Sequence, residues 1–291
     1  MSSTPLQRLV RFLAKDGKVY YGDAILPAGV DDASKATQAR IVTGDIFGRY
    51  DVTSQVADIR LLLAPLAPEH SRTVRCIGLN YTKHAQEAGM KLPKYPVLFH
   101  KPLTSLTGPH DPIPVHPIAQ TVGGLDYECE LVVVIGKAGH DISEADALSH
   151  VLGYAVGNDV SHREWQLQHG SGQWCYGKSF DGWAPFGPAI VTPAVLANPQ
   201  GLRIWTKVNG QTMQDENTGD MIFNVKQLIA FLSRGVTLLP GDVIFTGTPA
   251  GVAMGRKPQT WLKKDDVVEV GLQGVGTCVN KVEWTPEKPK I

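Results

Sequence analysis

Glu128 and Glu130 stand two residues apart in Leu125-Asp126-Tyr127-Glu128-Cys129-Glu130-Leu131, at the head of an apolar, β-branched run, 131–135, that ends at Gly136. Such a run reads as a buried strand, and on a strand side chains two apart point to one face. Two carboxylates held side by side repel each other, and burying them is costly unless something neutralises them. The pair is therefore half of an oxygen-rich cation site, or else two side chains on a solvated edge. Asp159 follows a second apolar run in Gly153-Tyr154-Ala155-Val156-Gly157-Asn158-Asp159. Three carboxylates suit a hard divalent ion such as Mg²⁺ or Mn²⁺, with water or substrate oxygens filling the other positions. Asp159 can also cap a turn over residues 161–166.

Three more stretches carry chemistry-bearing residues. His84 and Glu87 are three apart, so on a helical turn they share a face. A carboxylate that orients an imidazole makes an acid/base pair near neutral pH; an exposed helical pair is the other reading. Lys178 sits between Gly177 and Ser179 among Trp174, Tyr176 and Phe180. It can meet an anionic substrate group, or be the solvated Lys of a tight turn. Thr246-Gly247-Thr248-Pro249-Ala250-Gly251 is a loop whose backbone N–H groups and hydroxyls suit a carboxylate, or it is only a turn.

These residues need elements to hold them. Short β-branched runs recur from residue 70 onward, and helical patterns are few, which argues for a β-rich α+β fold. A helix is expected over 143–153, where Ser143 caps, and another over 225–235, stopped by Gly235. A strand, the first of these helices and a strand would carry Asp159 back to the glutamates. Asp16-Gly17 between two apolar runs predicts an N-terminal hairpin, which we prefer to reading the basic N-terminus as a presequence. Pro65 and Pro68 suggest a boundary near residue 70. The expected organisation is a small β-rich unit over 1–68 and a catalytic domain over 69–291. No GxGxxG motif is present.

The bulk numbers narrow the class. The 28 Lys and Arg balance 28 Asp and Glu, so there is no electrostatic reason to expect nucleic acid or an anionic membrane surface as partner. No apolar run approaches the roughly 18 residues of a membrane span. Cys76, Cys129, Cys175 and Cys278 form no CxxC pair, which speaks against structural zinc or a disulfide framework and for a reducing compartment, the cytoplasm or the mitochondrial matrix.

Taken together the stretches resemble the fumarylacetoacetate hydrolase superfamily. Its pattern runs G-x-N-Y-x-x-H-x-x-E, F-x-K-P, D-x-E-x-E-L, N-D-x-S-x-R-x-x-Q, G-K-x-F-D and G-D-x-I-x-T-G-T-P-x-G-V. The chain carries Gly78-Leu79-Asn80-Tyr81 with His84 and Glu87, then Phe99-His100-Lys101-Pro102, then Asp126-Tyr127-Glu128-Cys129-Glu130-Leu131. It continues with Asn158-Asp159-Val160-Ser161-His162-Arg163 and Gln166, then Gly177-Lys178-Ser179-Phe180-Asp181, then Gly241-Asp242 and Thr246-Gly247-Thr248-Pro249. The likeness covers about residues 70–284. Segments 172–193 and 210–223 look closest to the branch called fumarylacetoacetate hydrolase domain-containing protein 2, to which oxaloacetate tautomerase activity is assigned.

The resemblance implies a mixed β-roll with few helices, in a homodimer, acting on a small 2-oxo or 1,3-diketo acid. It implies that Glu128, Glu130 and Asp159 bind one Mg²⁺ or Mn²⁺, which polarises the substrate and stabilises an enolate forming beside it. By the same likeness His84 is the base, oriented by Glu87, and Arg163, Gln166, Lys178 and Thr248 contact substrate. Keto–enol tautomerisation of oxaloacetate ranks first; C–C bond hydrolysis of acylpyruvates or fumarylacetoacetate-like diketones, and β-keto acid decarboxylation, are the alternatives within the class. A non-catalytic metal- or ligand-binding homologue would be expected to have lost the acid/base pair, which is present. His100 and His162 are expected to be passive neighbours, and Cys129 to face away from the two glutamates.

Overall fold

A computed structural model describes residues 5–121 and 123–287. The larger of its sheets has eleven strands, in the order Val19–Ile25, Gln38–Gly44, Tyr50–Leu62, Arg8–Ala14, Ala184–Val191, Val151–Asn158, Cys129–Ile135, Val243–Phe245, Val74–Gly78 and Val97–Lys101, with Leu106–Thr107 also pairing with Ala184–Val191. A five-stranded sheet follows the order Gln211–Asn217, Arg203–Val208, Val267–Leu272, Gly276–Trp284 and Ile113–Val115. The short strands Leu125–Asp126 and Ser161–His162 form a third pair.

The central strands are apolar without alternation because both of their faces are covered. Every residue of Cys129–Ile135 and of Ala184–Val191 is buried. Leu131 and Val133 lie in one apolar cluster with Val268, Val270 and Cys278 of the smaller sheet. Val132 and Val134 point the other way, into a cluster with Cys76, Phe186 and Phe245. Strands of both directions, two stacked sheets and three short helices make this the β-rich α+β roll expected. The helices are α1 (Thr82–Glu87), α2 (Arg163–Leu167) and α3 (Val225–Leu232). α3 starts at Asn224, where a reciprocal Asn224–Gln227 capping box satisfies the first turn, and buries Val225, Leu228, Ile229 and Leu232. Among the described residues no helix is long and apolar enough to cross a membrane.

The helix expected over 143–153 does not form. Only Ala147–His150 turns, as a 3-10 helix, and Val151 already opens a strand. Ser143 spends its hydroxyl on a local turn, donating to Asp146 Oδ2 at 2.7 Å and accepting from Asp146 N at 3.2 Å. Val151 and Gly153 pair with Ile135 and Val134 in the sheet instead, and a Cβ on Gly153 would lie 2.5 Å from the Val191 carbonyl oxygen. Asp159 therefore returns to the glutamates along an antiparallel hairpin, in a register that sets Cys129 opposite Asn158.

The Asp16-Gly17 turn joins Arg8–Ala14 to Val19–Ile25, with Gly17 at φ +85°. These strands do not stand apart: Arg8 and Leu9 pair with Val191 and Ile190, so the N-terminal strands extend the large sheet.

Candidate active site

The hairpin end brings three carboxylates together. Glu128 immediately precedes the strand Cys129–Ile135, and Asp159 immediately follows Val151–Asn158. Two bonds fix the junction: Glu128 N donates to Asn158 Oδ1 at 3.0 Å, and Asp159 N donates to the Glu128 carbonyl at 2.9 Å. One oxygen from each of Glu128, Glu130 and Asp159 lies within 4.8 Å of the others, and all three residues are buried. Cys129, between the glutamates, turns away, its thiol directed to the Gly271 carbonyl in the smaller sheet.

Buried cations answer part of this charge. Lys178 donates to Asp159 Oδ2 at 2.6 Å, Glu128 Oε2 at 3.0 Å and Ser161 Oγ at 2.6 Å. Lys101 donates to Asp159 Oδ1 at 2.6 Å. Arg163 Nε donates to Asp126 Oδ2 at 2.9 Å, and its Nη2 lies 2.6 Å from Glu128 Oε1. Burial works against ionisation of Glu128, but Lys178 and Arg163 hold its carboxyl below the usual carboxylate range. Glu130 is pushed well above that range, first by burial and then by Asp159 and Glu128. Its hydrogen-bond donor is Gly247 N at 2.7 Å, and among the described residues no Lys or Arg pairs with it. Four buried carboxylates, Asp126 included, thus face three buried cations. Hard oxygen donors, tight spacing and a glutamate with no counter-charge are what a divalent cation fits.

The acid/base candidates sit on α1. His84 Nδ1 lies 3.2 Å from Glu87 Oε2, and His84 is nearly buried. The loop after Val243–Phe245 clamps Glu87: Gly251 N donates to both carboxylate oxygens at 3.1 Å, and Gly255 packs so closely that a Cβ there would lie 2.3 Å from Glu87 Cδ. Burial raises the Glu87 carboxyl, but the bonds from His84 and Gly251 N outweigh it and leave the group below its ordinary value of 4.5. Asp126 holds the same loop, accepting from Ala253 N at 2.7 Å and Met254 N at 3.1 Å while it pairs with Arg163. A chain of contacts therefore joins Glu128 through Arg163 and Asp126 to the loop that grips Glu87.

One cavity of about 400 Å³ is lined by His84, Glu87, Glu128, Arg163, Gln166, Lys178 and Thr248, with Phe99, Trp174, Val252 and Met254 as apolar wall. Seven of the nine residues singled out from the sequence thus meet at one place; Glu130 and Asp159 lie behind Glu128. Several details differ from expectation. Lys178 is 2% exposed, not a solvated turn residue. The backbone N–H groups of Gly247 and Gly251 serve the protein's own Glu130 and Glu87 rather than standing free. His162, not Asp159, caps α2. His100 is exposed on its strand and, like His162, does not line the cavity. Lys101, Asp126 and Gly255 were missed as functional residues; F-x-K-P and D-x-E-x-E were visible motifs, but only the fold reveals what Lys101 and Asp126 touch.

A β-roll thus gathers buried carboxylates, a His–Glu pair and buried cations around one cavity. The chain is a member of the fumarylacetoacetate hydrolase family: the family model described as fumarylacetoacetate (FAA) hydrolase C-terminal matches residues 73–283. It is 46% identical over 209 residues to human "Oxaloacetate tautomerase FAHD2A, mitochondrial", covering 72% of this chain and 66% of that protein. The chain thus spans just under two thirds of that relative's length. Among solved structures it is similar to the 2-hydroxyhepta-2,4-diene-1,7-dioate isomerase of Mycobacterium marinum, with a TM-score of 0.79 and 34% identity over 97% of this chain and 100% of that one. The fumarylacetoacetate hydrolase of Exiguobacterium antarcticum gives a TM-score of 0.77 at 35% identity, over 96% and 100%.

Proposed function

We propose that this enzyme interconverts the keto and enol forms of a small 2-oxo acid, oxaloacetate first among them. The observation that supports this reading is the single cavity bounded by both the His84–Glu87 pair and the Glu128 edge of the carboxylate triad. Glu128, Glu130 and Asp159 are proposed to hold one Mg²⁺ or Mn²⁺. Bound there, such an ion would act as a Lewis acid toward a carbonyl oxygen.

The chain's own groups then carry the proton. With Nδ1–H donated to Glu87, His84 has Nε2 free to take a proton from the carbon beside the substrate carbonyl and return it to oxygen. Gly251 N fixes Glu87, and Glu87 fixes the ring. Phe99, Trp174 and Val252 limit water around the reacting carbon, which matters because a water activated by His84 would divert the reaction to C–C hydrolysis. The word tautomerase in the human relative's name favours proton transfer over hydrolysis and decarboxylation.

The test uses protein stripped with chelator and reloaded with Mg²⁺. Oxaloacetate is added as the enol, and the enol ultraviolet band and pyruvate release are followed together. Loss of enol that needs the ion and gives no pyruvate is expected. Pyruvate release would mean decarboxylation. No response to Mg²⁺ would reject oxaloacetate, and acylpyruvates would follow. We further propose a homodimer, on family likeness; a light-scattering mass of 31.5 kDa would overturn it. The proposed compartment is the mitochondrial matrix, supported by the human relative's name, or else the cytoplasm.

A further inference from the structure

Three cations line the cavity: Arg163, Lys178 and Lys257. The first two are already engaged. Arg163 lies against Glu128 and Asp126 at 2.6 and 2.8 Å, and Lys178 against Asp159 and Glu128 at 2.6 and 3.0 Å. An ammonium or guanidinium shared between two buried carboxylates has little charge left for a third partner. Lys257 differs. Among the described residues it makes no ion pair and no side-chain hydrogen bond, and it is exposed. The lining residues also divide by depth. Glu128, Arg163, Lys178 and Thr248 are buried, while Glu87, Met90, Leu167 and Lys257 are exposed and mark the mouth. Met90 and Leu167 are apolar and Glu87 is held by His84 and Gly251 N, so among these four the lysine is the mouth's cation.

Its backbone is held in place. Ala253 N and Met254 N are bound by Asp126, Gly255 packs on Glu87, and Arg256 Nη1 donates to the Met213 carbonyl at 3.0 Å. The lysine is thus tied through its neighbours to the acid/base pair.

We propose that Lys257 is a specificity-determining residue: it receives a second carboxylate, remote from the reacting carbonyl, and so selects 2-oxo dicarboxylic acids over 2-oxo monocarboxylic acids. The proposal deepens the reading of the cavity as a 2-oxo acid site and rests on it. No bond is made or broken at Lys257; its ammonium donates to the carboxylate, an interaction stronger than one between neutral groups.

The experiment compares oxaloacetate with its 4-methyl ester, which keeps the reacting carbons and removes one charge, on the Mg²⁺-loaded enzyme and on K257Q and K257R. For K257Q the KM for oxaloacetate is expected to rise about tenfold or more with kcat within about twofold, and the KM for the ester to move less than about twofold. K257R should recover most of the loss, since it restores the charge. Equal losses on both substrates, or no change on either, would overturn the assignment. Calorimetric binding of malate and of lactate, which differ by the same carboxylate, separates this proposal from the proposed reaction. If the wild type turns over neither substrate, the tautomerase reading fails, yet a preference for malate that K257Q abolishes still upholds the lysine's role. Absence of that preference, its survival in K257Q, or binding of neither acid overturns it.

Discussion

Glu130 is the residue that most clearly distinguishes this site from an ordinary buried salt-bridge network. Glu128 and Asp159 each have cationic partners, whereas Glu130 has a backbone amide and its fellow carboxylates. Changing Glu128 or Asp159 to Ala is expected to abolish divalent-ion binding in calorimetry; unchanged affinity would reject the triad as a metal site. His84→Ala should bind the ion as the wild type does while turnover falls roughly 10²- to 10⁴-fold, the usual share of a positioned base. Retained turnover would place the base elsewhere. The Glu87 carboxyl, lowered from 4.5 by His84 and Gly251 N, gives a signed pH dependence. A group whose value is depressed on folding contributes stability above its unfolded value and loses it as pH falls through the folded one. The melting-temperature gap between the wild type and Glu87→Gln should therefore be steady above about pH 5 and close as the pH drops below about 4. A gap that widens toward acid would contradict the pairing.

At the scale of elements, the loop after Val243–Phe245 does more than its sequence indicated. Its Gly and Thr content suggested a surface for substrate, but its amides are used on Glu130, Glu87 and Asp126. Backbone groups carry no residue-specific mark, so no motif could say which carboxylates they would meet. Gly255→Ala tests the clamp. The added methyl would collide with the Glu87 carboxylate, so kcat should fall about tenfold or more while the melting temperature shifts only a few degrees. Wild-type kcat would show that Glu87 need not stay where the loop holds it. The strands and α3 were readable because apolar runs, and a Gly such as Gly235 that stops a helix, announce themselves locally. The missing helix over 143–153 was misread because Ser143 and Glu144 resemble a helix start, whereas pairing of Val151–Asn158 with Cys129–Ile135 decided the outcome from a distance.

Across the whole molecule, the first strands and the strands that carry the carboxylates share one sheet, joined at Arg8–Val191 and Leu9–Ile190. The Pro residues near position 65 resemble a boundary, but punctuation in a loop does not reveal which strands pair across it. Leu9 is fully buried against that seam, in a cluster with Ile190 and Phe186. Leu9→Ala should cost about 2–5 kcal/mol, the usual range for a buried leucine. Calorimetry should show the melting of the N-terminal and catalytic strands shifting together as one transition. Two transitions, with only the earlier one moved, would mean that residues 1–68 fold as a unit of their own.

The strand Cys129–Ile135 has no residue that faces solvent, and Glu130 lies within it. A segment with no free face tolerates little drift. The exposed rim residues Met90, Leu167 and Lys257 are under no such packing constraint. Under the proposed roles, chemistry and choice of substrate fall to parts of the chain under different packing constraints, so substitutions at the rim can change the substrate without rebuilding the reactive centre.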